Sequence, residues 1–202
     1  MTSRTALLAT ALGMLAGAAP VLAQVKAFSG GAEERKVTRV FYYTQTDDEF
    51  VPKGQFHVSY GSPTWQAKYD EQKAFDDETR GKRWRLGSGP WTALDTDVAL
   101  VFNGVEVAPG HYYCVVERTA DDKANLWLLD PAEVREQKLD AFQANATKGG
   151  TKVALEWTRE AQKTAESLRI ALDADKDDPT KVTFSVRWGP HVLTAPIVAN
   201  VR

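Results

Sequence analysis

An all-β protein, an antiparallel β-sandwich of about eight or nine strands with one inserted short helix, is the fold that the sequence predicts, and three observations predict it. Short segments of alternating apolar and polar residues recur along the chain, turn signals separate them, and a single segment carries helix-start residues. The alternation is plainest in residues 151–157, 167–172 and 181–188. These put Val153/Leu155/Trp157, Leu168/Ile170/Leu172 and Val182/Phe184/Val186/Trp188 on single faces.

Taken in order, the chain opens with an export address over residues 1–23. Arg4 supplies a short positive start, residues 6–19 are small and apolar, and Val21-Leu22-Ala23 has the spacing read by signal peptidase, so cleavage after Ala23 is expected. The apolar run is shorter than the ~20 residues that span a bilayer, and Gln24-Val25-Lys26 follows instead of a stop-transfer pattern. The mature protein is therefore expected in the periplasm or outside the cell, with no membrane span once the signal is removed. Residues 24–36, with Ser29-Gly30-Gly31, read as a flexible leader, and residues 37–202 as a single β-sandwich domain.

Residues 37–44, rich in valine and aromatics, predict the first strand. Residues 55–60 alternate, with Phe56, Val58 and Tyr60 on one face and Gln55, His57 and Ser59 on the other. Gly61-Ser62-Pro63 ends that strand. Residues 64–81 then form a long polar loop with a helical turn around residues 69–75. A loop of that length in a compact domain binds something or packs through its own side chains, here Trp65, Tyr69 and Phe75.

The run that follows organises the rest. Residues 96–102 and 105–107 flank Asn103-Gly104, the strongest short hairpin signal because both residues tolerate positive φ. Ala108-Pro109-Gly110 turns the chain into a strand over residues 111–118, and residues 125–129 predict another. Asp130-Pro131-Ala132-Glu133 starts a helix, with Asp as N-cap and Pro in the first turn, expected to reach about Phe142 and stop before Lys148-Gly149-Gly150. Gly189-Pro190 leads into a last strand over residues 191–198, where Pro196 is easiest to place at an edge. Phe184, Val186 and Trp188 are expected to share one core with Leu100, Phe102 and Cys114. The single cysteine rules out an intramolecular disulfide and a multi-cysteine metal site and reads as a small buried hydrophobe. A net charge of −2 points to neither nucleic acid nor an anionic membrane.

Gly81-Lys82-Arg83-Trp84-Arg85-Leu86-Gly87, followed by Asn103-Gly104 and by Ala108-Pro109-Gly110-His111-Tyr112, resembles the paired signature of a bacterial secreted family named only as domain of unknown function 2911. The likeness takes in Val58-Ser59-Tyr60-Gly61-Ser62-Pro63 upstream and the strand ending at Trp188, so it covers roughly residues 55–200. Two departures stand out. The K-G-R run expected after the proline is replaced by Thr64-Trp65-Gln66-Ala67-Lys68, and the A-N-E after W-R-x-G by Ser88-Gly89-Pro90. A shared site built on those polar residues would be lost or altered here. The resemblance implies the fold and export, and implies no activity.

No stretch carries a recognisable catalytic motif. There is no G-x-S-x-G elbow, and among 27 acidic residues nothing singles out a catalytic pair. The acidic clusters at 47–49, 76–78 and 173–178 lack EF-hand spacing and read as solvated turns. His57, His111 and His191 sit on or beside different strands; a small metal-assisted hydrolase using them is the alternative reading, with ordinary surface histidines favoured over a metal site. No cofactor is expected. The better clue is aromatic: Trp65, Trp84 and Trp91 fall in or beside loops, with Arg83 and Arg85 next to Trp84. Exposed tryptophans make platforms for sugar rings and arginines grip carboxylates, whereas buried ones would plug the open end of the sandwich. The leading functional reading is a non-enzymatic envelope module that binds a glycan or an envelope protein through Trp65, Trp84, Arg85 and Trp91. Arg85, flanked by apolar residues, needs a partner for its guanidinium: Asp95 or Asp97, carbonyls of the 81–91 loop, or an anionic ligand.

Overall fold

The computed structural model describes residues 26–27, 34–160, 162 and 165–201. The signal peptide expected at 1–23 and most of the leader at 24–36 lie outside them. Twelve strands follow: β1 (Lys36–Gln45), β2 (Phe50–Tyr60), β3 (Lys82–Arg85), β4 (Ala93–Thr96), β5 (Ala99–Phe102), β6 (Val105–Val107), β7 (Gly110–Arg118), β8 (Ala124–Leu129), β9 (Thr151–Arg159), β10 (Ala165–Ala174), β11 (Lys181–Gly189) and β12 (His191–Asn200). Helix α1 (Gln72–Thr79) follows a 3-10 turn at Ala67–Asp70, and helix α2 (Pro131–Glu136) precedes a second 3-10 segment at Ala141–Ala146.

Among the described residues these strands pair antiparallel, in the order β1-β2-β4-β7-β8-β9-β12-β11-β10, with β3 also on β7 and the β5-β6 hairpin on β12. Strand β9 belongs to both layers: Thr151 to Leu155 pair with β8, and Glu156 to Arg159 with β12. The two ends of the sheet also meet. Leu172 N donates to Thr38 Oγ1 at 3.2 Å, and β10 exchanges backbone bonds with Pro63 and Trp65 just beyond β2. Two layers therefore close around one core.

Alternation decides what enters that core. The inward faces of β9, β10, β11 and β12 supply Leu155, Ile170, Phe184, Val186 and Ile197, and the first layer supplies Phe56, Val58, Leu94, Cys114 and Leu126. Leu100, Phe102 and Cys114 share it with Phe184 and Val186, and Trp188 packs against it. Burial pushes the Cys114 thiol up to about 12, which keeps it unreactive. On the far side of β7 and β8, Val115 and Leu129 make a second cluster under Val134 and Ala144. The α2 segment thus covers the outer face of β7 and β8 around Val115 and Leu129.

Several elements differ from expectation. The expected 96–102 strand is two: β4 ends at Thr96 in the first layer, the chain turns at Asp97-Val98, and β5 begins in the second layer. Lys82–Arg85 is a strand although its sequence shows no apolar alternation, because it pairs with β7 and presents Arg83 and Arg85 to the covered outer face. Helix α2 stops at Glu136, six residues short of Phe142, and the remainder forms the 3-10 segment with its own Asp140 capping box. Pro196 is not on an edge strand. It lies where β12 changes partner from β9, ending at Thr194, to β5, starting at Ile197, so its missing N–H costs no ladder bond. The Asn103-Gly104 turn has the positive φ values, 46° and 81°, that the hairpin requires.

Candidate functional site

Trp65 and Trp84 go to the interior. The segment 64–81, read as a loop from sequence, folds as a cap over one end of the sandwich, and Trp65 beneath it is 5 % exposed. Its indole meets Trp188 edge-on at 4.9 Å, lies 5.9 Å from Phe75 and donates through Nε1 to Asp70 at 2.7 Å. Gly189 makes that approach feasible: its φ is 57°, and a Cβ there would stand 2.4 Å from the Trp65 ring. Below the cap is a cavity of about 40 Å³ walled mainly by apolar side chains, among them Phe75, Trp84, Leu86, Trp157 and Trp188.

His191 is the titratable residue in that wall. Phe75 stacks on its imidazole at 4.1 Å and 14°, and Trp157 Nε1 donates to Nδ1 at 3.1 Å, which leaves the ring's proton on Nε2. Burial, with help from the Arg159 and Arg118 charges, lowers its pKa to about 4, so the ring is neutral at pH 7. Arg118, 3 % exposed, closes the chamber's rim. Its Nη1 donates to Asp76 Oδ1 at 2.7 Å and Thr79 Oγ1 at 2.9 Å, while Nε donates to Asp122 at 2.8 Å. Burial alone would raise the Asp76 carboxyl, but hydrogen bonds from Arg118, Gln72 and Arg80 outweigh it and hold the pKa at about 2.

Arg85 points the other way from Trp84, as alternation along β3 requires. Its guanidinium donates to the carbonyls of Gly87, at 3.2 Å, and Gly89, and lies 4.7 Å from the Phe142 ring. Of the three kinds of partner expected for it, the structure supplies the loop carbonyls.

Trp91 lies on the outer face of the first layer, stacked on Tyr113 at 5.0 Å and 8°. The four residues singled out from sequence therefore occupy three places: Trp65 and Trp84 at the chamber, Arg85 in its loop, and Trp91 outside. From Trp91 and Tyr113, which are half-buried against the Val115/Leu129 cluster under α2, a band runs across the rest of that face towards β1. His111 meets Tyr113 edge-on at 5.5 Å, and Asp95 accepts from His111 Nδ1 at 2.5 Å and faces His57 Nε2 at 3.5 Å. Register explains the row: His57 pairs with Asp95, Asp95 with His111, and Arg39 with His57 on neighbouring strands. The Arg39 guanidinium lies 5.3 Å from the Phe41 ring, which stacks with Tyr43 and Phe50 at 5.8 and 6.1 Å. Tyr43 and Phe50 are 51 % and 53 % exposed.

His57 and His111 are thus brought together by Asp95, while His191 is enclosed in the chamber. Among the described residues no group of three or more His, Cys, Asp or Glu side chains could hold a metal ion.

A family model described as a protein of unknown function, DUF2911, matches residues 44–197. The chain belongs to the DUF2911 family. No curated protein and no solved structure matches it. In this DUF2911 protein the W-R-x-G signature falls on β3 and the loop that Arg85 ties down, and the Thr64 to Lys68 departure falls at the start of the cap. Sequence reasoning missed Asp95, Tyr113, Phe41, Tyr43 and Phe50. The available signal was period two: Asp95, Tyr113, Phe41 and Tyr43 each lie one residue out of step with a core position, whereas Phe50 is in step with Phe56 and Val58 and reaches the outer face only through the register shift opposite Tyr42 and Tyr43; which strands neighbour one another sets whether such residues meet.

Proposed function

We propose that this DUF2911 protein is an exported, non-enzymatic binding module of the cell envelope that holds a glycan on the open outer face of its first layer. The observation that carries the reading is the continuous band with aromatic rings at both ends, Trp91/Tyr113 and Phe41/Tyr43/Phe50, and a polar centre of His57, Asp95 and His111. Aromatic faces take the C–H faces of sugar rings, and polar groups between them take hydroxyls. From β1 to β7 the band crosses three strand spacings, about 14 Å at ~4.8 Å each, which suits an oligosaccharide better than one ring. The exposed rings at one end, Tyr43 and Phe50, are not needed for the core, since Val40, Phe56 and Val58 of the same strands fill it, whereas Trp91 and Tyr113 at the other end also pack against the Val115/Leu129 cluster.

The alternative, a metal-assisted hydrolase drawing on His57, His111 and His191, would require ligands that the fold places on the outer face and inside the chamber. Affinity electrophoresis of the mature protein through neutral plant and bacterial polysaccharides tests the binding reading. At least one should retard it, and Tyr43→Ala with Phe50→Ala should abolish the retardation without lowering Tm by more than about 2 °C, because both rings are half exposed. Unretarded migration in every polysaccharide, or retardation that survives the double substitution, would overturn it. The export part is checked by intact mass: the secreted chain should begin near Gln24, and retention of residues 1–23 would contradict it.

A further inference from the structure

The cap carries two adjacent side chains that fill the chamber mouth in complementary ways. Phe75 lays its ring parallel to His191 at 4.1 Å, with Trp65 and Trp157 at 5.9 and 6.2 Å completing an aromatic box. Asp76 places its carboxylate on Nη1 of the buried Arg118 at 2.7 Å. The part of the cap that would move, residues 67–79, has few other anchors: α1 buries only Phe75 and Thr79, the preceding 3-10 turn buries nothing but rests Tyr69 on Trp188 at 5.5 Å, and α1 has no side-chain N-cap, while Trp65 and Arg80 hold its two ends to Glu166 and Asp122. An eight-residue helix is not stable by itself, so these few contacts set the free energy of local opening.

If the cap lifts, Phe75, Asp76 and Thr79 leave together. What remains is an aromatic recess backed by a cavity of about 40 Å³, with neutral His191 on one wall. Arg118 stays anchored through Nε and Nη2 to Asp122, but Nη1 loses both of its partners. That guanidinium edge then faces the opened recess beside the Trp157 ring, and a carboxylate is the group that matches it best.

From this geometry we infer that Phe75 and Asp76 are a resident stand-in for a small aromatic carboxylic acid, and that the chamber is a second ligand site, for such an acid, closed by the cap. The site is separate from the outer glycan face. The ligand's ring takes the place of Phe75 against His191 and its carboxylate takes the place of Asp76 on Arg118. Because the stand-in competes, the apparent affinity of the wild type is reduced by the small fraction of open chains.

The full exported chain is titrated with phenylacetate, and in parallel with its neutral analogue phenylacetamide, following indole fluorescence and hydrogen exchange of amides 67–79. The inference predicts saturable phenylacetate binding, faster exchange in the cap on binding, and phenylacetamide weaker by about tenfold or more for want of the Arg118 charge. Asp76→Asn weakens the competing contact and should raise phenylacetate affinity by about fivefold or more. Thr79→Val, which removes one Arg118 partner and the Thr79 hydroxyl's bond to the Phe75 carbonyl, should raise it in the same direction and serves if Asp76→Asn does not fold. Absence of saturable binding in the wild type and the folded variants would overturn the inference. Equal affinity for acid and amide would overturn it too, and so would binding that leaves cap exchange unchanged.

Discussion

Lowering the pH from 7 to 4.5 should destabilise the protein mainly through His191. Its imidazole is held neutral by burial and by the Arg159 and Arg118 charges, with a pKa of about 4 in the fold, against an ordinary value of 6.5 in the unfolded chain. A base with a depressed folded pKa binds its proton more tightly when unfolded. The stability it confers is therefore complete above about pH 6.5 and is lost as the pH falls towards 4. Linkage gives a loss of roughly 2–3 kcal/mol at pH 4.5, or ~5–10 °C in Tm for a chain of this size. Asp76 acts in the same direction lower down, since its carboxyl titrates at about 2 in the fold and 3.8 outside it, so its contribution fades mostly below pH 4. Urea unfolding followed by tryptophan fluorescence at pH 7 and 4.5, on the wild type and on His191→Gln, isolates the effect. Glutamine keeps an acceptor for Trp157 Nε1 but does not titrate, and every other group is common to both proteins. The wild type should lose roughly 2–3 kcal/mol more than the variant between the two pH values. Equal losses would refute the reasoning and show that the chamber admits water to His191.

Arg85→Lys keeps the charge but loses the planar fork that spans the Gly87 and Gly89 carbonyls, and should lower stability by ~1–3 kcal/mol, several degrees in Tm. An unchanged melting curve would mean that the loop does not depend on those bonds and would turn attention to a partner for the guanidinium. Phe102, 1 % exposed and 5.3 Å from Phe184 in the core, should cost about 3–5 kcal/mol when cut to alanine. His57→Ala, on the solvent side of β2 with a side chain 31 % exposed, should cost under ~1 kcal/mol, and comparable losses in chemical denaturation would show that the strand faces are misassigned.

The parts of the fold that were legible in the sequence are those where a local pattern has one physical solution. Phe184, Val186 and Trp188 alternate with polar residues and can only face one core; Asn103-Gly104 and Asp130-Pro131 encode their own backbone geometry. Strand β3 was not legible, because Lys82-Arg83-Trp84-Arg85 is extended through its pairing with β7 and the cover over Arg83 and Arg85. The break between Thr96 and Ala99 was hidden for a related reason: an apolar run does not reveal that the chain changes layer at Asp97-Val98. The site was less legible still. Trp65, Trp84 and Trp91 stood out in the sequence as one group, yet the cap buries the first, alternation turns the second inward, and only Trp91 reaches the outer band. Asp95 joins His57 to His111 solely because three strands align in that register, and a slip of one residue would point its carboxylate into the core.

The most direct test of glycan binding on the outer face is hydroxyl-radical footprinting of the mature protein with the polysaccharide that retards it most. Tyr43, Phe50, Trp91 and Tyr113 should be protected together, while Phe142, exposed on the α2 side, keeps its reactivity. Protection that spares Tyr43 and Phe50, or that falls on Phe142 instead, would contradict the account.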